Sequence, residues 1–461
     1  MGPPLSFVIS LTVFSLIAGS SYSQVLIEKA DREFNAAKQY VVERDTLELR
    51  NAGKEAVKEV VVCHPSDLTS SRAFFEVVQG ITEDAPELEV KATQVAGAPT
   101  NATCEAVVLD TPLLPGKTTT LETYSVLMNQ LVPKPKEITQ TDVQRVLFTA
   151  SRYPLSPYKI ATASTQVKLP SKNTESYQGA GPVSKSGATV TSGPNTDVPP
   201  FSGGTLSVHF ENNAPFAEAV SVVREIEVSH WGNVYVEENY NIKHTGAVLK
   251  GEWSRLRYMQ DPRRNGAASI KEFTAVLPRS AHSLYFRDEI GNVSTSSVKR
   301  QHERLEVRLQ PRFVLFGGWQ VQFLLGYSLK LHTVVNSLKG GLKQLSIPFS
   351  TPILNLPIQD LTVKVVLPEG SSQIKVDFPF DVEQSMETKY TYLDTYGRPV
   401  LVLKKHNVVP DHNMPLKVTY KFASIAMLQE PLLLVGTFFA FFCALIVYAR
   451  FDFRLSPTKS L

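Results

Sequence analysis

The sequence predicts a mainly β protein: two tandem sandwich-like β domains plus one C-terminal transmembrane helix. Apolar and polar residues alternate along many short segments, as in strands with one buried face. The 461 residues include 30 prolines and 25 glycines, as expected for strands joined by many turns. Near the end, residues 432–449 are uncharged. As a helix they would extend roughly 27 Å, which is long enough to cross a thin bilayer.

The N-terminal residues 1–23 are predicted to be a secretory signal peptide. Residues 5–18 form an apolar run that is too short to span a membrane comfortably. Small residues at Gly19, Ser20, Ser21 and Ser23 then provide the kind of site that signal peptidase cleaves. We therefore expect the chain to enter the secretory pathway.

Residues 24–224 are predicted to form the first β domain and residues 225–428 the second. Alternation is clear at Leu206, Val208 and Phe210. Residues 31–38 are a candidate helix, and residues 137–150 could form either a helix or a strand. Residues 171–204 are rich in Ser, Gly, Pro and Thr and poor in large apolar side chains, so we expect a long loop there.

A weak internal repeat relates the two predicted domains. Residues 41–53 (VVERDTLELRNAG) and 234–246 (VYVEENYNIKHTG) align without gaps. The aligned positions share a valine, an apolar pair two residues apart, a basic residue and the final glycine. Such a repeat would fit two related β domains of about 200 residues each.

Residues 430–449 are predicted to be the transmembrane helix and residues 450–461 a cytosolic tail. Arg450, Arg454 and Lys459 follow the apolar run, against the acid Asp452. Because positive charge is retained on the cytosolic side, this predicts a type I protein with its bulk in a lumenal or extracellular compartment. A span this short suits the endoplasmic reticulum better than the thicker plasma membrane.

Small side chains follow one face of this predicted helix. Gly436, Ala440 and Ala444 recur at every fourth position. Small residues permit the close backbone approach by which membrane helices associate, so these three form a candidate helix-packing face. The alternative is that such residues are simply common in membrane helices.

The compartment gives meaning to the cysteines and the glycosylation sequons. Cys443 lies in the predicted span, which leaves Cys63 and Cys104 as a possible disulfide in an oxidising lumen, with two buried thiols as the alternative. Asn101 and Asn292 each begin an Asn-x-Ser/Thr sequon. We expect Asn292, in a polar turn, to be the better acceptor.

Motifs of catalysis and nucleic-acid binding are largely missing from the sequence. A net charge of +3 without a basic stripe argues against nucleic acid as a partner. His302 and Glu303 resemble the opening of a zinc protease motif, but Glu306 replaces its second histidine. His209 begins a deaminase-like triplet that no paired cysteines follow. We therefore expect no catalytic residue, no cofactor and no metal site.

Two aromatic segments are the strongest remaining candidates for a surface. They are PRFVLFGGW at residues 311–319 and YTYLDTYGRP at residues 390–399. Core packing with turns is the simpler interpretation, and a binding face is the alternative.

These segments, with others, resemble the ribophorin I family, whose members are subunits of the endoplasmic reticulum oligosaccharyltransferase. The likeness includes EVSHWGN at 227–233, HTGAVLKG at 244–251, RDEIGNVSTS at 287–296 and MLQEPLL at 427–433. It covers most of residues 200–455 and is looser over residues 24–200.

The resemblance implies two lumenal β-rich domains, one membrane helix and membership of a complex that transfers a preassembled glycan from dolichol diphosphate to asparagine. The expected partners are the other oligosaccharyltransferase subunits, the nascent polypeptide and the endoplasmic reticulum membrane. It also implies that catalysis belongs to another subunit, and that the glycosylated asparagine of the family maps onto Asn292. The role expected here is structural and acceptor-presenting.

Two other functions compete with this one, and one feature departs from the family. The competitors are a type I cell-surface adhesion or receptor protein and an independent lumenal hydrolase. Animal members of the family carry a large cytosolic domain, whereas residues 450–461 supply a short tail. We therefore expect a short-tailed form for which direct ribosome docking is doubtful.

Overall fold

The computed structural model describes residues 24–80, 86–261, 268–391 and 393–451. Within these residues the mainly β prediction is confirmed: strands occur from Val25 to Lys421, and the long apolar helix Gln429–Arg450 follows them. The predicted signal peptide 1–23 lies outside the described residues, as does the predicted tail beyond residue 451.

The strands of the N-terminal half, defined as residues 25–211, form one large sheet and smaller sheets beside it. These strands are β1 (Val25–Asn35), β2 (Val41–Asn51), β3 (Val57–Pro65), β4 (Arg72–Gln79), β5 (Val90–Thr93), β6 (Ala102–Leu113), β7 (Thr118–Leu127), β8 (Leu131–Pro133), β9 (Glu137–Ile138), β10 (Arg145–Ser151), β11 (Ile160–Lys168), β12 (Thr174–Gly179), β13 (Val183–Ser186), β14 (Thr189–Val198) and β15 (Thr205–Glu211).

The C-terminal half, defined as residues 217–422, has a second large sheet of the same kind. Its strands are β16 (Ala217–Ser229), β17 (Asn233–His244), β18 (Val248–Leu249), β19 (Phe273–Pro278), β20 (His282–Asp288), β21 (Gly291–Asn292), β22 (Ser297–Arg300), β23 (Arg304–Leu309), β24 (Gln320–Lys330), β25 (Val335–Ser337), β26 (Leu342–Pro348), β27 (Ile358–Val366), β28 (Ser372–Asp377), β29 (Glu383–Lys389), β30 (Arg398–Val408) and β31 (Pro415–Lys421).

Helices are few and short among the described residues, apart from the last. The α-helices are α1 (Ser66–Ser71), α2 (Arg255–Gln260), α3 (Leu331–Val334) and α4 (Gln429–Arg450), and 3-10 turns occupy Lys339–Gly341, Pro410–His412 and Ser424–Leu428.

The two large sheets have matching strand orders. The first runs β13-β14-β11-β1-β2-β7-β4, and the second, taken in the corresponding direction, runs β29-β30-β27-β16-β17-β24-β20-β21. In each sheet a central antiparallel hairpin, β1–β2 or β16–β17, pairs on its first strand with a parallel neighbour, β11 or β27. The aligned repeat segments 41–53 and 234–246 contain β2 and β17, which occupy equivalent places. The structure therefore extends the weak sequence repeat to a whole sheet.

Each hairpin also encloses a buried ion pair at the same register. Arg32 of β1 lies opposite Asp45 of β2, with 3.1 Å between guanidinium Nε and carboxylate Oδ1. Arg224 of β16 lies opposite Glu238 of β17, with 3.3 Å between Nε and Oε1. Burying an arginine is unfavourable unless a carboxylate and hydrogen bonds compensate it. Asp45 and Glu238 are aligned with each other in the repeat. In both hairpins the buried arginine is therefore compensated by a carboxylate at the equivalent position.

The cores lie between each large sheet and the smaller sheets that cover it, which gives the sandwich-like layering that the sequence predicts. In the N-terminal half, Leu49 of the large sheet shares a core with Val107 of the β3-β6-β5 sheet, and Phe34 packs edge-on against Phe148, with 5.2 Å between ring centroids. Burying one such side chain stabilises the fold by roughly 1.5–3 kcal/mol. In the C-terminal half, the large sheet packs against the β19-β23-β22 and β25-β26-β31-β28 sheets.

Four predictions require correction or refinement. Residues 171–204 are not a long loop, because they contain β12, β13 and β14, whose backbones pair with β15, β11 and one another. Residues 31–38 do not form a helix, because residues 31–35 belong to β1, which is paired on both sides. Of the two possibilities for residues 137–150, strands occur there. A domain boundary at residue 225 would cut β16, so we propose the turn at residues 212–216 instead.

The two halves contact each other through side chains and a short strand pairing. Tyr124 donates a hydrogen bond of 3.0 Å from its hydroxyl to Asp411, and the Phe74 ring meets the His412 ring edge-on at 5.3 Å. A second contact pairs β9 with β18 in parallel. Since both contacts join the N-terminal half to the C-terminal half, they restrict the orientation of one half relative to the other.

Candidate functional site

The predicted disulfide cysteines lie opposite each other on neighbouring strands. Cys63 of β3 is in register with Cys104 of β6, and their sulfurs form a disulfide in the structure. Both residues are buried in the core of the N-terminal half. The bridge spans a sequence separation of 41 residues, so in the chain-entropy model it restricts the unfolded chain considerably.

Both predicted glycosylation acceptors are at the surface. Asn101 is exposed in the turn before β6, and Asn292 is exposed in β21. The side-chain oxygen of Asn292 accepts a hydrogen bond of 3.0 Å from Arg287 Nε. Glycans are attached at accessible asparagines, and both positions meet that requirement. Glycosylation itself stays a prediction.

Beside Asn292 the surface opens into a cavity of about 490 Å³, which we name the Asn292 groove. Two apolar side chains at its rim are unusually exposed: Ile290 at 82% and Phe313 at 42%. An exposed apolar groove of this kind is typical of a binding surface. The groove is lined by Phe286, Asp288, Glu289, Ile290, Val293, Pro311, Arg312, Phe313, Gln320, Val321, Gln322 and Phe323.

An ion pair fixes the turn that forms one wall of the Asn292 groove. Arg312 donates to the carboxylate of Asp288 from Nε and from Nη2, the latter at 3.1 Å, and also to the carbonyl of Asn292 at 3.0 Å. The hydrogen bonds from Arg312 lower the pKa of Asp288, against the opposing effect of burial. Asp288 is therefore ionised at neutral pH and remains paired with Arg312.

The predicted helix-packing face lies on α4 and has no contact with the β layers. Among the described residues, one helical stretch, Ser424–Arg450, is long and apolar enough to cross a membrane, and 0% of its apolar window is buried. A Cβ added at Gly436 would meet no atom within 4 Å. Ala440 and Ala444 are likewise exposed. The face is open to a partner helix, and packing there stays a prediction.

Where α4 meets the β layers, four chain segments converge. We name this region the junction; it comprises the end of β16 with the following turn (225–232), the loop 368–370, the segment 389–398 and the approach to α4 (422–430). Arg398 is its centre. The guanidinium donates to Glu227 at 2.9 Å, to Glu430 at 3.0 Å and to Asp394 at 3.1 and 3.2 Å. A single arginine therefore joins the large sheet, a surface turn and the first turn of the membrane helix.

Further charges support this arrangement around Arg398. Asp394 accepts hydrogen bonds of 2.7 Å from the backbone and hydroxyl of Thr391. Burial alone would raise the pKa of Asp394, but these bonds and Arg398 outweigh it and hold the pKa below its ordinary value. Lys389 pairs with Glu225. The junction is therefore an ionic network rather than an isolated pair.

Glu369 stabilises the turn of the 389–398 segment through hydrogen bonds to its backbone. Its Oε1 accepts hydrogen bonds from the backbone N–H groups of Thr395, Tyr396 and Gly397, at 2.8 Å for the first and 3.0 Å for the last. Glu369 is only 7% exposed. Its other oxygen, Oε2, has no hydrogen-bond partner among the described residues. A buried carboxylate with one unused oxygen is costly unless something else meets it.

A small cavity of about 120 Å³ opens between these segments. His230, whose ring stacks on Phe422 with 4.3 Å between centroids, forms one wall. Burial lowers the pKa of His230, and Lys343 acts in the same direction, so the imidazole is neutral there at pH 7. Trp231, Glu369 and Glu430 also line the cavity.

The segments singled out in the sequence meet in pairs or triplets in the fold. Segments 227–233, 390–399 and 427–433 meet at the junction, and 287–296 and 311–319 form the Asn292 groove. Segments 244–251 and 311–319 approach so closely that a Cβ on Gly317 would lie 1.8 Å from the Ala247 carbonyl oxygen, which only glycine avoids. The aromatic segments prove mixed: Phe316 is buried in the core, whereas Tyr390 and Tyr396 are exposed.

The sequence does not predict the junction, although three of its four segments overlap the motifs at 227–233, 390–399 and 427–433. Arg398 and Glu227 are 171 residues apart in the chain, and no local pattern joins them.

The segment that resembles the opening of a zinc protease motif lies at the surface, because His302 is exposed in the turn between β22 and β23. Within the described ranges, no group of three or more His, Cys, Asp or Glu side chains is arranged to hold a metal ion.

Comparisons with known proteins are consistent over nearly the whole chain. The family model for Ribophorin I matches residues 25–449. "Dolichyl-diphosphooligosaccharide--protein glycosyltransferase subunit 1A" of Arabidopsis thaliana is 40% identical over 454 residues, covering 97% of this chain and 74% of that protein. Subunit 1B of Oryza sativa subsp. japonica is 44% identical over 371 residues, covering 80% and 78% of the two chains. Subunit 1 of Caenorhabditis elegans is 37% identical over 439 residues, covering 93% and 73%.

Solved structures give only a distant likeness. An M1 zinc metallopeptidase from Deinococcus radiodurans overlaps 45% of this chain and 48% of its own, at 13% identity and a TM-score of 0.25, which is too low to bear on function. The match to the family model is much more extensive, because it runs from the first strand to the end of the membrane helix. The chain therefore belongs to the ribophorin I family.

Proposed function

We propose that this chain is a non-catalytic subunit of the oligosaccharyltransferase, which transfers a preassembled glycan from dolichol diphosphate to asparagine in nascent proteins. The observation that carries the proposal is the match to relatives named as subunit 1 of dolichyl-diphosphooligosaccharide–protein glycosyltransferase, at 40% identity over 97% of this chain. The glycosyl transfer itself would belong to another subunit of the complex.

The proposal places the chain in the endoplasmic reticulum membrane with its β layers in the lumen. Helix α4 would be the single anchor, and Gly436, Ala440 and Ala444 would pack against a helix of another subunit. The exposed sequon at Asn292 and the Cys63–Cys104 bridge both suit an oxidising, glycosylating lumen.

Within the complex, the Asn292 groove is the surface best suited to hold acceptor polypeptide. An unfolded acceptor exposes apolar side chains together with unpaired backbone groups. The groove offers the exposed side chains of Ile290 and Phe313 for the former and the exposed amide of Gln322 for the latter. A weak contact of this kind would raise the local concentration of sequons near the catalytic subunit.

Replacing the exposed apolar side chains at the rim of the groove with charged ones tests this role. Ile290→Lys with Phe313→Lys should lower the sequon occupancy of reporter glycoproteins when the variant replaces the endogenous chain, because the acceptor contact loses apolar area. Both side chains are substantially exposed, so the fold should tolerate the change. Occupancy is measured by mass spectrometry of the reporter peptides.

Leu114→Lys is the matched control, since Leu114 is 55% exposed but lies in the N-terminal half, away from the groove. The control should keep occupancy at the wild-type level. Equal occupancy for the groove variant and the control would reject the acceptor role of the groove. Co-purification with the other subunits, measured on the same samples, would show separately whether membership of the complex still stands.

A further inference from the structure

We propose that the cavity at the junction binds the choline headgroup of a phosphatidylcholine molecule, in the leaflet where α4 enters the membrane. The inference goes beyond the proposed function and does not depend on it. It requires only that α4 spans a bilayer. Four observations support it: the depth of the cavity, the residues exposed around it, its charge and its size.

The cavity lies at the level of the lipid headgroups. Met427 and Glu430, which line it, immediately precede the uncharged run that begins at Leu432. The headgroup region of a bilayer starts where such a run ends, so the mouth of the cavity is next to the headgroups and not in bulk solvent. Arg398 fixes this depth, because it ties Glu430 to the β layers.

Amphipathic aromatic residues surround the same level. Trp231 is 65% exposed, Tyr390 is 68% exposed and Tyr396 is 77% exposed. Ile425, which leads into α4, is 77% exposed. Tryptophan and tyrosine concentrate at membrane interfaces because one part of the ring system is apolar and another part is polar. These side chains would be stabilised by headgroups and the upper acyl region.

The charge at the junction selects a cationic headgroup. Among its described residues, Glu225, Glu227, Glu369, Asp394 and Glu430 are acidic, and Lys389 and Arg398 are the cations that pair with them. Three charged side chains line the cavity itself: Glu369, Glu430 and Arg398. Arg398 is paired with Glu430, whereas Glu369 is 7% exposed and its Oε2 has no partner among the described residues. An anionic headgroup would meet repulsion here, whereas a cation would neutralise the buried carboxylate.

The lining and the size favour a quaternary ammonium over other cations. A trimethylammonium group donates no hydrogen bond, and proteins bind it with aromatic faces backed by carboxylates. Trp231 and Phe422 supply aromatic rings, and Glu369 and Glu430 supply the carboxylates. A cavity of about 120 Å³ accommodates a group of a few heavy atoms but not a sugar or a peptide segment.

Lipid retention measured by native mass spectrometry tests the inference. The full chain, purified in mild detergent with the subunits that accompany it, is exchanged into mixed phosphatidylcholine and phosphatidylglycerol and then progressively delipidated. Wild type should retain one phosphatidylcholine in preference to phosphatidylglycerol. Glu369→Gln should retain about tenfold less, which corresponds to losing one charge interaction. This variant keeps an amide oxygen for the three backbone donors, so the turn remains supported.

Trp231→Ala should reduce phosphatidylcholine retention to a similar extent, and Tyr177→Ala should leave it unchanged. Tyr177 is a suitable control because it is 40% exposed on β12, far along the chain from the junction. Equal retention of the two lipids by wild type would overturn the inference, since it would indicate only a non-selective lipid annulus. Retention of phosphatidylcholine that neither Glu369→Gln nor Trp231→Ala changes would also overturn it.

Discussion

Arg398 is the residue on which the geometry of the junction depends most. Its guanidinium reaches carboxylates on β16, on the 389–398 segment and on α4, and its side chain is only 17% exposed. One of these partners, Asp394, has a fully buried side chain. Because arginine presents donors in a fixed planar fork, lysine could not reach all three carboxylates at once.

Replacing Arg398 with glutamine should therefore lower the free energy of unfolding by about 3 kcal/mol, since it leaves a buried carboxylate without its cation. Urea denaturation of the full chain in detergent measures the change. Arg308→Gln is the control: Arg308 pairs with Glu306 while its own side chain is 51% exposed, so its loss should cost less than about 1 kcal/mol. Similar small losses for both variants would show that the junction is not held by Arg398.

Some of the site residues can be predicted from the sequence, and others cannot. Cys63, Cys104 and the sequon asparagines can be selected from the sequence, because their chemistry is carried by residue type and compartment. Arg398 and Glu369 cannot, since nothing near Arg398 in the sequence indicates that Glu227 will lie 2.9 Å away. Only the pairing of β16 with β27, and of β27 with β30, brings the two side chains together.

At the scale of elements, the contact between the two halves contains a histidine that is sensitive to acid. His412 is 2% exposed, and its ring meets Phe74 and Phe380 edge-on. Its Nδ1 accepts a hydrogen bond from the Val409 N–H, so the buried ring is neutral. Burial lowers the pKa of His412 to about 4, and Lys405 acts in the same direction.

This pKa predicts a loss of stability on acidification. Below about pH 6.5 the unfolded chain binds a proton that the folded chain does not accept until about pH 4, so the free energy of unfolding falls through that window. One such histidine contributes a slope of up to about 1.4 kcal/mol per pH unit. His64 and His244, whose pKa values burial likewise lowers to about 4, add to the slope.

His412→Gln isolates the part that belongs to the contact between the halves. At pH 8 the variant should be less stable than wild type, because packing is lost. At pH 4.5 the difference in the free energy of unfolding between the variant and wild type should be smaller by about 1 kcal/mol or more, because glutamine does not bind a proton in the unfolded chain. Urea denaturation at the two pH values makes the comparison. An identical difference at both would contradict the assignment.

The small-residue face of helix α4 is expected to pack against a helix of another subunit. Gly436→Leu with Ala440→Leu should reduce co-purification of partner subunits by about tenfold, because the added side chains prevent close approach of a neighbouring helix. Phe438→Leu with Phe442→Leu, on the opposite side of the helix, is the matched control and should have little effect. Resistance to alkaline extraction checks that both variants are inserted. Unchanged partner recovery for the first pair would reject the packing face.

The elements themselves were predictable to different degrees. Alternation located β15 because this strand has one face against a core and one toward solvent. It failed for β12–β14, where small polar residues give no hydrophobic pattern and the backbone pairing with distant strands does the stabilising. It also failed at residues 31–35, where a buried arginine occupies an inward position that pattern reading assigns to an apolar residue.

At the scale of the whole molecule, two sheets of matching strand order are followed by a single membrane helix. The match extends to the parallel strand beside each hairpin and to the buried arginine–carboxylate pair within it. Around this shared framework the halves differ: the Asn292 groove and the junction both belong to the C-terminal half. The junction adjoins α4, whereas the groove lies at the opposite end of β24, because Lys330 pairs with Asn233 beside the junction and Gln320 pairs with Lys243 at the far end. The proposed acceptor surface and the attachment of α4 therefore belong to the same half of the chain.

Depletion with rescue tests whether the chain is a subunit of the oligosaccharyltransferase. The endogenous chain is depleted, and sequon occupancy across secretory glycoproteins is measured by quantitative mass spectrometry, with and without re-expression of this chain. We predict that occupancy falls on depletion and returns with the wild-type chain, while the chain co-purifies with the catalytic subunit. Unchanged occupancy after depletion, together with no recovery of that subunit, would show that the chain is not a subunit of the oligosaccharyltransferase.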